Sequence, residues 1–218
     1  MDWIPKIPLA DWIEAAIDWT STNFAPITKA ISGFAETGIN ALVAGMEWLP
    51  PWLLIIFFTA IAWKVAGNKL AIGTALGLLL LWNLGLWNST LETLALVIFS
   101  TFVAVAIGLP MGILAALSDP CYRIITPILD FMQTMPAFVY LIPAIPFFGL
   151  GPVSAMVSTV IFAVPPAIRL TCLGIRQVPG DLIEAADAYG STWSQKLFKL
   201  QLPLATPTIM AGVNQTIM

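Results

Sequence analysis

"TLALVIFSTFVAVAIGLPMGILAAL", residues 93–117, decides the class of this protein, because its twenty-five residues carry no charge. As a helix it rises roughly 37 Å, more than the ~30 Å hydrocarbon core of a bilayer. Comparable runs lie on both sides of it. Residues 50–66 (PPWLLIIFFTAIAWKVA), 70–87 (LAIGTALGLLLLWNLGLW), 124–148 (IITPILDFMQTMPAFVYLIPAIPFF) and 152–175 each approach the ~20 residues of a spanning helix, and a sixth run begins near Leu202. A β-barrel would instead show weak alternating segments of about ten residues. The chain is 59% hydrophobic and 10% charged, where a soluble domain has roughly 25% charged residues. Its mean hydropathy is +0.90. The expected class is an all-α integral membrane protein.

Three regions follow from this pattern. Residues 1–48 are mixed, residues 49–90 hold two accessory spans, and residues 91–218 hold the main run of spans. The start, MDWIPKIPLADWIEAAIDW, carries Asp2, Asp11, Glu14 and Asp18 and lacks the basic start and apolar stretch of a signal peptide. Within residues 10–20, Trp12, Ala15, Ala16 and Trp19 share one helical face and Asp11, Glu14 and Asp18 another. Two readings fit: an interfacial or extramembrane helix, and an amphipathic helix packed on the rest of the chain. In 124–148, Pro136, Pro143 and Pro146 offer places for a broken span, as occurs where a helix lines a cavity or packs on protein. The sixth run reaches only Met218 and ends in "NQTIM", which reads as a chain truncated within a helix.

Lys and Arg set the orientation. Alternating spans place Lys64, Lys69, Arg123, Arg169, Arg176, Lys196 and Lys199 towards one side, seven of the nine basic residues. The other side receives Lys6 and Lys29 with Asp2, Asp11, Glu14, Asp18, Glu36, Glu47 and Glu92. The positive-inside rule puts 176–201 in the cytoplasm and the N-terminal region outside. Cys121 and Cys172 fall on the cytoplasmic side and should stay reduced. No basic cluster invites nucleic acid.

The stretch "DLIEAADAYGSTWSQKLFK", residues 181–199, stands apart, with five charges in nineteen residues. Asp181, after Pro179 and Gly180, is placed to cap a helix. Gly190 interrupts the helix, and Thr192 with Gln195 has capping-box spacing for a second one. Pro203 marks the return to the membrane. The result is a helix-turn-helix lying along the surface. Leu182, Ile183, Ala186, Trp193, Leu197, Phe198 and Leu200 are left to pack or dock. By composition alone, a solvated amphipathic loop explains the segment equally well.

The spacing Glu184-Ala185-Ala186, three residues, Gly190, nine residues, Leu200-Gln201-Leu202-Pro203 resembles the EAA loop of ABC-importer permeases, E-A-A-x3-G-x9-I-x-L-P, with Leu200 in place of Ile. "ILDFMQTMPAFVYLIP" (128–143), "FAVPPAIRLT" (162–171), "QVPGDLIEAA" (177–186) and "LPLATPTIMAGVNQTIM" (202–218) resemble permease subunits of glycine betaine/proline betaine importers over about residues 50–218. The resemblance implies the type I permease fold, with the coupling loop at 179–203. It makes Asp181, Glu184, Ala185, Ala186, Gly190, Leu202 and Pro203 ATPase-coupling residues. It also implies a permease homodimer, a cytoplasmic ATPase carrying the ATP and Mg, a periplasmic or extracellular substrate-binding protein, a bacterial plasma (inner) membrane location, and further spans after residue 218. The chain has no G-x-x-x-x-G-K-[ST] pattern of its own, so if ATP drives it, hydrolysis must occur on a partner. Ala185 and Ala186 let another surface approach closely, Glu184 offers it a charge, and Gly190 permits an unusual backbone conformation.

Asp130 and Arg169 each sit roughly 10 Å inside the cytoplasmic end of their runs. Two readings compete: they pair and hold an inward gate, or Arg169 snorkels and Asp130 lies in a wet vestibule. Asp130, Gln133, Phe138, Tyr140 and Arg169 are the candidate translocation path or gate. Phe131, Phe138, Tyr140, Phe147 and Phe148 could offer cation–π faces to a quaternary ammonium, though helix packing explains aromatics as well. Gly73-x-x-x-Gly77 and Gly108-x-x-x-Gly112 permit close helix contact. A secondary transporter or channel for small cationic or zwitterionic solutes is the alternative, and it predicts repeated halves and mid-membrane acids, of which Asp130 is the one candidate. An enzyme has little support. There is no His, no H-E-x-x-H and no G-x-S-x-G pattern, and no metal site is expected.

Overall fold

A computed structural model describes residues 9–217, so expectations resting on Asp2, Lys6 and the Glu14 side chain lie outside the described residues. Every regular element described is helical. Contacts divide the chain into two compact units. One is Phe34–Phe99, and the other joins the residues up to Gly33 with those from Ser100 onward.

The unit Phe34–Phe99 contains most of α2 (Ala25–Glu47), α3 (Pro51–Ala66), α4 (Asn68–Asn83) and the start of α5 (Trp87–Leu117). Pro51 opens α3 at a position where a missing N–H costs nothing. Gly67, at φ +82°, turns the chain from α3 into α4, and Trp63 Nε1 donates to Asn68 Oδ1 at 2.6 Å across the turn. Leu54, Ile55, Trp87 and Leu91 form a buried cluster, with Met46, Leu49, Phe58 and Leu78 packed on it. Each of α3 and α4 has sixteen residues. That is about 24 Å of helix, shorter than the runs 50–66 and 70–87 suggested.

The second unit is organised around α8 (Pro152–Arg176). At 3.6 residues per turn its faces separate cleanly. One meets α5, whose small residues Ser100, Ala104, Gly108, Gly112 and Ala115 are buried at helical spacing. A Cβ on Gly108 would lie 2.5 Å from Ala167 Cβ, and one on Gly112 would lie 2.5 Å from Thr171 Cβ and 2.8 Å from the Ile168 carbonyl oxygen. Another face meets α11 (Leu202–Ile217), where Gly174 lies against Ala205 and Thr208, and Gly212 against Leu170 and Pro166. With no hydrophobic gain from lipid, helices associate through such backbone approach. Gly73 and Gly77 share the four-residue spacing, yet an added Cβ there meets nothing within 4 Å.

The run 124–148 is broken, as its prolines allowed. α6 (Asp119–Thr134) ends at Met135, held extended at φ −88° and ψ 136° by the following Pro136. A single 3₁₀ turn, Ala137–Tyr140, leads into α7 (Leu141–Phe148), and the chain bends by 106°. Pro143 and Pro146 break nothing: they fall inside α7. Among the described residues, two helices, Trp87–Leu117 and Pro152–Arg176, are long and apolar enough to cross a membrane, or up to four spans if each bent pair counts as one. Ahead of them, α1 (Leu9–Asn23) touches α7 and keeps Trp12 and Trp19 exposed.

Candidate functional site

Pro179 starts α9 (Gly180–Ala188), and no side chain caps it. Asp181 is therefore not the cap that the sequence suggested. It sits in the first turn, where a carboxylate favours the positive end of the helix dipole. The end of α9 is tightly specified. Gly190 takes φ +74°, its N–H donates to the Asp187 carbonyl at 2.9 Å, and the Ser191 N–H donates to the Ala186 carbonyl at 3.0 Å. These are the two bonds of a Schellman stop, which needs a residue at ease with positive φ.

The second helix starts with the expected capping box. The Gln195 N–H donates to Thr192 Oγ1 at 3.3 Å, and the Thr192 N–H donates to Gln195 Oε1 at 2.9 Å. Lys196 Nζ reaches Asp187 Oδ1 at 2.7 Å and ties the two helices together. α10 (Trp193–Lys196) then widens into a π turn, Leu197–Gln201, and continues as α11 without a gap. Pro203, expected at the return to the membrane, lies at the start of α11 inside a continuous helix. Its ring crowds the carbonyl four residues back and it has no N–H to donate, and the wider turn before it relieves both demands.

No residue of α9 is buried. Glu184 and Ala185 are exposed, Ala186 and Leu202 half-buried, and Pro203 exposed. Of the residues left to pack, Leu197 is buried, Ile183, Ala186 and Leu200 are half-buried, and Leu182, Trp193 and Phe198 are exposed. Tyr189 is 91% exposed. A short helix pair held by a Schellman stop, a capping box and an ion pair, with little apolar support below, is open to contact on its outer side.

Inside the second unit, Arg169 Nη2 donates to Asp130 Oδ1. Of the two readings of these charges, the structure has the pair. Arg176, seven residues on and so on the same face of α8, makes a second link to α6: its Nη2 donates to Asp119 Oδ1 at 2.7 Å. The same guanidinium donates to the Ala115 carbonyl at 3.1 Å and lies 4.3 Å from the Tyr122 ring centroid. Sequence reading missed the Arg176–Asp119–Tyr122 group, although the Arg169–Arg176 interval held its signal. Both arginines line a cavity of about 250 Å³ with Tyr122, Leu129 and Cys172.

The remaining path candidates are scattered around the break. Gln133 is exposed near the end of α6. Phe138 is 81% exposed in the 3₁₀ turn. Tyr140 is buried and donates its hydroxyl to the Met132 carbonyl, so it staples the break and offers no face to a solute. Of the other span-four aromatics, Phe131 is exposed and Phe147 and Phe148 are half-buried. Among the described residues, no group of three or more Cys, Asp or Glu is placed to hold a metal.

Comparison with known proteins joins this geometry to a family. Residues 108–218 match the family described as "Binding-protein-dependent transport system inner membrane component". The chain is 51% identical over its whole length to the glycine betaine transport system permease protein OpuAB of Bacillus subtilis, covering 77% of that protein. It is 49% identical over 99% of its length to the glycine betaine/carnitine transport permease protein GbuB of Listeria monocytogenes, covering 77% of it. It is 47% identical over 97% of its length to the glycine betaine/proline betaine transport system permease protein ProW of Escherichia coli, covering 60% of it. Among solved structures, a chain of the MetNI methionine ABC transporter in inward facing conformations matches with TM-score 0.52 and 29% identity, over 57% of this chain and 64% of that one.

Proposed function

The chain belongs to the binding-protein-dependent transport system inner membrane components, and from that premise we propose that it is the permease subunit of an ATP-driven importer for glycine betaine, proline betaine and related osmolytes. The observation that carries the mechanism is the α9–α10 unit, an exposed, doubly capped helix pair bearing Glu184-Ala185-Ala186 and running directly into α11. It is the surface on which a cytoplasmic ATPase, the holder of ATP and Mg, docks. Asp181, Glu184, Ala185, Ala186 and Gly190 form or shape that surface, and Leu202 and Pro203 carry it into the membrane. A substrate-binding protein delivers solute on the opposite face, and the permease works as a homodimer in a bacterial inner membrane. The clustering of seven basic residues on the α9 side supports a cytoplasmic loop and an external N-terminal region. The exposed Trp12 and Trp19 of α1 suit the lipid–water interface.

The Arg169–Asp130 pair and the Arg176–Asp119 pair join α6 to α8. They serve as the inward gate, opened when movement of the loop displaces α11 and with it α8. A pair this exposed contributes at most about 1 kcal/mol, so losing it shifts the gate equilibrium about five-fold. In the complete transporter, Asp130→Asn should raise ATPase turnover without binding protein about five-fold and lower uptake per ATP. The exchange Asp130→Arg with Arg169→Asp should restore both in a coupled ATPase and uptake assay.

The function itself is tested by uptake into proteoliposomes holding the full-length permease with its ATPase and binding protein. Glycine betaine should accumulate only with ATP, and excess proline betaine or carnitine should suppress it. Accumulation without any ATPase would instead favour an ion-driven carrier, a reading the permease relatives do not support.

A further inference from the structure

A second cavity, of about 230 Å³, lies beside the break and is lined by Phe138, Leu141, Ser158, Thr159 and Phe162. It is separate from the two arginine links and from the coupling loop. Four features give it a chemical character. First, no ionisable side chain lines it. Its volume exceeds the roughly 150 Å³ that accommodates a benzene ring. Secondly, its aromatic walls come from different elements: Phe138 from the 3₁₀ turn at the break, and Phe162 from α8. Thirdly, Ser158 Oγ donates its proton to the Ser154 carbonyl at 2.8 Å, which leaves its lone pairs for the cavity. Fourthly, α8 continues through Pro165 and Pro166. Neither has an N–H, so the carbonyls of Ile161 and Phe162 lose the donors that a regular helix would supply four residues on. The cavity wall therefore combines π faces and hydroxyl oxygen, with the under-used carbonyls of α8 within one turn of its Phe162 wall.

This is an environment for a cation that has no proton to donate. Glycine betaine, carnitine and proline betaine share one group, a quaternary nitrogen carrying only carbon. Such a group is attracted by aromatic faces and peripheral oxygens, and it requires no hydrogen-bond acceptor. The cavity also has a defined place on the path. Phe162, Arg169 and Arg176 recur at intervals of seven residues, which keeps them on one face of α8 and about 10 Å apart in succession. Solute leaving the cavity along this face meets the Arg169–Asp130 link next.

We infer that the Phe138–Phe162 cavity holds the quaternary nitrogen of the transported osmolyte, a transient permease-borne subsite above the Arg169 gate. The inference rests on the osmolyte-permease reading and adds to it a site that reads only the methylated nitrogen. Cation–π attraction at a partly exposed site is worth about 1 kcal/mol per ring, or about five-fold in affinity.

The test uses saturation-transfer NMR on the full-length permease–ATPase complex without binding protein. The probes are glycine betaine and 3,3-dimethylbutanoate, which differ by one carbon in place of the nitrogen. Glycine betaine should give a saturable signal and the carbon analogue should give at least five-fold less. Phe138→Leu and Phe162→Leu should each weaken the betaine signal about five-fold, while Phe138→Tyr and Phe162→Tyr, which keep the π face, should retain it. Retention in the Tyr variants separates loss of the aromatic face from misfolding. Equal signals from the two probes would make the cavity a plain apolar slot, such as one for an acyl chain, and would overturn the inference. An unchanged signal in both Leu variants would do the same. If the wild-type transporter fails to accumulate betaine with ATP, the permease reading falls and takes this subsite with it. Betaine uptake with unselective binding removes the subsite alone.

Discussion

Gly112→Leu should leave no folded permease to purify. A Cβ at this position already lies 2.5 Å from Thr171 Cβ, 2.8 Å from the Ile168 carbonyl oxygen and 2.9 Å from Thr171 Cγ2. One of these is main chain in the centre of α8, which cannot turn aside as a flexible side chain can. Overpacking of a tight core costs about 1–3 kcal/mol and occasionally more. Gly112→Ala adds only the Cβ and should fall within that range, lowering Tm by about 2–12 °C for a chain of this size. Leu extends a branched side chain into the same gap and should separate α5 from α8 altogether. Fluorescence-detected size exclusion of the full-length protein in detergent, with a thermal ramp, measures both. A Gly112→Leu protein eluting as a sharp peak with unchanged Tm would show that the α5–α8 approach does not hold the unit together.

The second large effect is on coupling. Gly190→Val places a β-branched residue at φ +74°, in the left-handed region that non-glycine residues populate only at a cost of roughly 1–2 kcal/mol, and more when branched. The two Schellman bonds would be lost or the turn remade, and the Asp187–Lys196 link with them. Glu184→Lys leaves the fold alone, since Glu184 is exposed, and reverses the charge presented to the partner. Both should reduce ATP-driven betaine uptake by at least ten-fold, the reversal through about 1.4 kcal/mol or more of lost contact. The thermal midpoint of the permease should stay within about 3 °C for Glu184→Lys, because exposed substitutions change stability by about 0.5 kcal/mol or less. Uptake in proteoliposomes, with ATPase pull-down as a parallel measurement, separates failed docking from failed folding. Full uptake by Glu184→Lys would remove the acidic side chain from the docking surface.

Much of this was readable in the chain, for identifiable reasons. Long uncharged runs leave little choice but membrane helices, and Thr192 with Gln195 formed the capping box their spacing announced, because capping depends only on near neighbours. Gly190 took positive φ for the same reason. What failed depended on context. Asp181 had the right neighbours for a cap, yet the helix began two residues earlier, with Pro179 at the boundary. Pro136, Pro143 and Pro146 were equivalent in sequence. Only Pro136 breaks the span, because Pro143 lies in the first turn of α7, where its missing N–H is not needed, and α7 tolerates Pro146. The two Gly-x-x-x-Gly motifs were also equivalent, and only the one opposite Ala167 and Thr171 brings helices together. The Arg176–Tyr122 contact and the Phe138–Phe162 cavity join residues far apart in the chain, and no local pattern reports such meetings.

The uninterrupted run from Trp193 to Ile217 has a mechanical meaning. A loop joined to the membrane by a flexible tether would dissipate any push it received. Under the proposed coupling role the push would enter a helical rod packed against α8 through Gly174 and Gly212, with backbone close to backbone and little slack to absorb displacement. A compliant point is the wide turn at Leu197–Gln201, directly before Pro203, and Pro207 interrupts the helix hydrogen bonds a second time. If the loop couples to an ATPase as proposed, it is geared to the interior of the protein, and the elasticity of that turn helps set how much of each stroke reaches the other end.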